Sequence, residues 1–67
     1  MIKEEKMEKV EELVISYING NIGWVRGKLK KANKVTVLRF AQMLTNYTRN
    51  QPYPENGISV AIRLLEH

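Results

Sequence analysis

Two interruptions decide what this chain can fold into: "NGN" at residues 19–21 and "NQPYPENG" at residues 50–57. Gly20 can take the left-handed conformation that ends a helix, and Asn21 can cap the next one. Pro52 and Pro54 cannot donate backbone hydrogen bonds, and with Gly57 they mark a loop. Whatever forms between these breaks must be short.

Apolar residues between the breaks recur at helical spacing. Met7, Val10, Leu13, Val14, Tyr17 and Ile18 predict an amphipathic helix over residues 2–18. Ile22, Val25, Leu29 and Ala32 form one stripe over residues 22–32, with Gly23 and Gly27 opposite. Those two glycines weaken that helix by about 1 kcal/mol each relative to alanine. They mark either a marginal helix or a place where a backbone approaches closely. Asn33 is a candidate cap for a third helix over residues 34–49, whose expected core face is Val37, Phe40, Ala41, Leu44 and Tyr47.

The last segment, "ISVAIRLL" at residues 58–65, fits two periods. Ile58, Ala61, Ile62 and Leu65 suit a helix, while Ile58, Val60, Ile62 and Leu64 suit a strand. A lone strand would lack a partner, so a short helix is expected. Because the segment is apolar on nearly every side, it belongs in the core or in a subunit interface.

The expected fold is therefore all-α: a small bundle of three to four short helices. The pair 22–32 and 34–49 resembles a helix-turn-helix in outline. It departs from that motif at the turn, where position 33 is Asn rather than glycine and Leu29 stands four residues earlier.

Sixty-seven residues make one domain, 1–67, of a size that often needs a staple or a partner subunit. There is no cysteine, which excludes disulfides and thiolate zinc sites. Leu65–Glu66–His67 match the start of a vector-encoded polyhistidine tag. No run of about 18 apolar residues exists to span a membrane. The charged start "MIKEEKMEKVEE" does not read as a signal peptide, so a cytoplasmic location is expected.

With no Asp, no Cys and a single His, the chain lacks the side chains for hydrolytic triads, His-rich metal sites and EF-hand loops. "GNIGWVRG" spaces its glycines wrongly for a dinucleotide motif. Neither an enzyme, a metal site nor a cofactor is expected.

Charge is segregated along the chain. Residues 1–18 hold three lysines against five glutamates, and residues 51–67 hold Arg63 against Glu55 and Glu66. Residues 19–50 hold seven cations, Arg26, Lys28, Lys30, Lys31, Lys34, Arg39 and Arg49, and no acid. The chain's own glutamates cannot neutralise such an excess.

On the third helix, Arg39, Gln42, Asn46 and Arg49 fall on the face away from the core. Arginine can bond guanine in a fork, and glutamine and asparagine can do the same to adenine. Arg26, Lys28, Lys30, Lys31 and Lys34 suit phosphates, which fix register without reading sequence. DNA is the first expected partner, bound by a homodimer. An acidic protein is the alternative, bound through the same basic face and Trp24. Trp24 either closes the core or stands exposed among cations as a contact residue. Tyr53 either docks on the core or serves a partner. A membrane is not expected, since the apolar stripe of helix 22–32 is short and is needed inside.

Overall fold

The computed structural model describes residues 9–66. Among them are four helices and no strand: α1 (Lys9–Ile18), α2 (Ile22–Lys31), α3 (Lys34–Thr48) and α4 (Gly57–Leu65). The expected all-α bundle is what forms. Residues 2–8 of the first expected helix, Met7 among them, lie outside the described residues, as does His67.

The breaks act as their residues dictate, except at Asn21, which does not cap as expected. Gly20 adopts φ 94°, and its N–H bonds the Tyr17 carbonyl at 3.0 Å. Asn21 precedes α2 without a side-chain capping bond. Asn33 does cap α3: its Oδ1 accepts from the Thr36 N–H at 2.9 Å. Asn56 does the same for α4 through Ser59, at 3.1 Å. Such caps each satisfy an orphan amide of the first turn and contribute about 1 kcal/mol.

One core joins all four helices. Val10, Leu13 and Val14 of α1 meet Val25 and Leu29 of α2, Phe40, Ala41 and Leu44 of α3, and Val60, Ala61 and Leu64 of α4. Phe40 is fully buried at the centre, with the Tyr17 ring edge-on to it at 6.4 Å. Burying one such large apolar side chain is worth about 1.5–3 kcal/mol. α3 packs on α1 and α4, and α2 packs on the same two helices. The consecutive pair α2–α3 is therefore held mainly through its neighbours and meets closely at the turn, Ala32–Asn33.

Residues 58–65 resolve as helix because α3 and α2 offer a groove rather than a strand edge. Gly57 makes the seat possible. A Cβ there would overlap the Ala41 carbonyl group and crowd the Thr45 hydroxyl. Only a glycine lets the first turn of α4 come so close to α3.

Two expectations about tyrosines are corrected. Tyr47 is exposed rather than core, and the buried position at that end of α3 belongs to Thr48. The cause is α4 and its approach loop, which cover the Ala41–Thr48 edge of α3. The Thr48 hydroxyl donates to the Leu44 carbonyl at 2.9 Å and accepts from the Glu55 N–H at 2.9 Å. Tyr53 does not dock on the core but stands 84% exposed, since the loop is hydrogen-bonded to α3 at Glu55 and Gly57 and not at Tyr53. One side of α4 enters the core, while Ile58, Ile62 and Leu65 remain exposed.

Candidate nucleic-acid interface

The outward face of α3 is set by its inward one. With Phe40, Ala41, Leu44 and Thr48 buried, Arg39, Gln42, Asn46 and Arg49 must face solvent, and all four are exposed. Arg39, Gln42 and Asn46 share one shallow surface, bordered by Met43 and by Val10 of α1. Arg49 Nη2 donates to Asn46 Oδ1 at 3.2 Å, joining the fourth residue to the row. That bond takes one of the two lone pairs of the Asn46 carbonyl oxygen. A bidentate contact to adenine would use the other lone pair together with the NH2 group.

Val35 was not among the expected contact residues, yet it is exposed one turn before Arg39. Its place four residues before Arg39 was the available signal. An apolar side chain there suits a thymine methyl group. α3 holds no carboxylate in its fifteen residues. At 1.5 Å per residue it is about 22 Å long, enough to lie along a groove.

Four of the lysines flank the α2–α3 turn. Lys28 and Lys31 line a groove with Trp24, Asn33 and Thr36, together with Lys9 and Glu12 of α1. Lys30 and Lys34 line another groove, beside Leu38 and Leu65. The turn is thus basic on two sides. Lys28, Lys30 and Lys31 occupy the last turn of α2, where the helix dipole favours cations. Lys34 opens α3, where the dipole disfavours one, so helix stability does not account for its charge.

Lys30 has an interaction of its own, and the other cations of the segment show no ion pair among the described residues. Arg26 stands apart from the rest. It is partly buried, and its Nε has no hydrogen-bond partner among the described residues. Arg26 does not line the surface that Arg39, Gln42 and Asn46 share.

Trp24 does not close the core. It is 44% exposed, with Lys28 Nζ 5.5 Å from its ring centroid. That distance allows a cation–π contact, which holds the lysine over the ring rather than over a carboxylate. No family model matches the chain, and neither a curated protein nor a solved structure does. The functional reading must come from the surface alone.

Tyr53 and Tyr47 line a separate cleft of about 510 Å³ with Tyr17, Ile18 and Ile22, away from the turn. Trp24 and Tyr53 therefore do not share a surface. Among the described residues no helix is long and apolar enough to cross a membrane.

Proposed function

We propose that this chain is a small basic nucleic-acid-binding protein, a DNA-binding regulator. α3 lies in a duplex groove, and the lysines at the end of α2 hold phosphates. The observation that carries this reading is the row Arg39, Gln42, Asn46 and Arg49, exposed on a helix free of carboxylates. The two parts have different tasks. Phosphate contacts by Lys28, Lys30 and Lys31 bind any sequence, while Gln42 and Asn46 discriminate between bases. Lys34 adds charge where the two helices meet, and Arg26 contributes through the field rather than through contact. Such a role goes with a cytoplasmic location and with no catalytic chemistry of its own. A homodimer would present two such faces to one duplex.

The test is duplex binding followed by fluorescence anisotropy against salt. The logarithm of affinity should fall with the logarithm of salt, by about 0.9 for each phosphate neutralised. Lys28→Ala with Lys31→Ala should weaken every sequence alike. Gln42→Ala should change the ranking of sequences. Failure to bind any duplex at low salt ends the reading.

A second reading rests on Trp24, exposed beside Lys28. An acidic protein partner could seat against the ring and be steered by the surrounding lysines. In that case Trp24→Ala would abolish capture of the partner, and the lysine changes would alter mainly the association rate.

A further inference from the structure

We infer that the chain forms a two-fold homodimer in which α4 packs antiparallel against α4 of a second copy. α4 carries two apolar stripes. Val60, Ala61 and Leu64 serve the core. Ile58, Ile62 and Leu65, spaced i, i+4 and i+7, form the other, and with Leu38 of α3 they are 39–54% exposed. Leu38 and Leu65 line one groove, so the stripe continues from α4 onto α3. Single aliphatic side chains can touch bases, but a continuous stripe of four is better matched by another apolar surface. The polar residues of α4 are Ser59 and Arg63, and both fall off the stripe by helical spacing.

The ends of the stripe say what covers it. Glu55 shares the surface at the Ile58 end. Lys34 shares the groove at the Leu65 end. Lys30 lines that groove too, against the neighbouring Glu66, so one end is acidic and the other carries a net positive charge, and the surface complements a reversed copy of itself. A two-fold axis near Ile62 would set Ile62 against the partner's Ile62 and Ile58 against the partner's Leu65. Glu55 would then meet the partner's Lys34, and the pair would occur twice, as an isologous interface requires. The exposed parts of four aliphatic side chains amount to about 400 Å² per copy, and with the polar rim the total approaches about 1,000 Å², the lower bound for a specific interface. A domain this small also gains from a partner subunit.

Self-association needs no ligand, so this inference does not rest on nucleic-acid binding. In a dimer Lys34 would face the partner's carboxylate, leaving Lys28 and Lys31, across the turn, for phosphates.

Sedimentation velocity on the full chain, without nucleic acid, tests the proposal. Wild-type protein should pass from monomer to dimer as concentration rises. Ile62→Glu should remove the dimer, with circular dichroism confirming that the helices persist, as expected for a half-exposed position. Glu55→Lys and Lys34→Glu should each weaken the dimer about tenfold, since both symmetric pairs become repulsive. The double exchange should restore affinity to within about threefold of wild type. Should Ile62→Glu fail to fold, the charge exchange alone decides the matter. A wild-type chain that stays monomeric up to about 1 mM, beyond weak association, overturns the proposal and gives the stripe another occupant, its own first eight residues or a different protein. A dimer that survives Ile62→Glu, or a double exchange without rescue, overturns it as well.

Discussion

Gly57 donates its backbone N–H to the Thr45 hydroxyl at 2.8 Å, and the same hydroxyl donates to the Ala41 carbonyl at 2.9 Å. One threonine thus bridges the start of α4 to the backbone of α3. The contact is close because residue 57 has no side chain.

Gly57→Ala should accordingly be severe. A methyl group would overlap the Ala41 carbonyl group, and backbone cannot yield as a flexible side chain would. A loss of about 3 kcal/mol is expected, at the upper end of overpacking costs. Domains of this size hold only a few kcal/mol in total. Thermal denaturation followed by circular dichroism should show a collapse of cooperative melting, and an unchanged midpoint would refute the close seat.

Gly27→Ala should act in the opposite sense. Gly27 sits inside α2 with open space where a Cβ would stand. Alanine should stabilise the protein by about 1 kcal/mol through helix propensity and a less flexible unfolded chain. The melting midpoint should rise by about 4–8 °C. If duplex affinity falls while stability rises, a backbone approaches α2 there. If affinity is unchanged, the glycine is merely tolerated.

Trp24 offers a direct probe of the cationic surface. It is the only tryptophan, and among the described residues Lys9, Lys28 and Lys31 line its groove with one acid, Glu12. The local field should concentrate anions. Relative to free tryptophan in the same buffer, iodide should gain about twofold over caesium as a quencher, and added salt should erase that gain. An iodide-to-caesium ratio equal to that of free tryptophan would mean that the lysine charges are compensated.

Much of the fold was legible in the residues. The helical spacing placed α2 and α3 to within a residue, and Asn33 and Gly20 act as their chemistry suggests. What escaped depended on α4. Its apolar residues satisfy two periods at once, and only a neighbouring surface can choose between them. With α4 unplaced, nothing in the local pattern could show that Thr48 would be covered and Tyr47 left bare. A buried threonine reads as polar until its partners, the Leu44 carbonyl and the Glu55 amide, are in view.

The candidate site divides in the same way. Which residues are basic and which face of α3 they occupy follow from spacing alone. How they group does not. Lys28 and Lys30 are two residues apart, yet they line different grooves. Their separation depends on α1 and α4, which lie on either side of the turn.

Thr48 and Thr45 give the segment 49–56 an unusual freedom. Its C-terminal end is moored to α3 by two threonine hydroxyls, at Glu55 and at Gly57, while Tyr53 near its middle stands 84% exposed. Lengthening the loop there would disturb no packed surface, and doubling a loop costs only about 0.6 kcal/mol in closure entropy. Evolution, or an engineer, could graft new sequence at Tyr53 and leave the bundle beneath it unchanged.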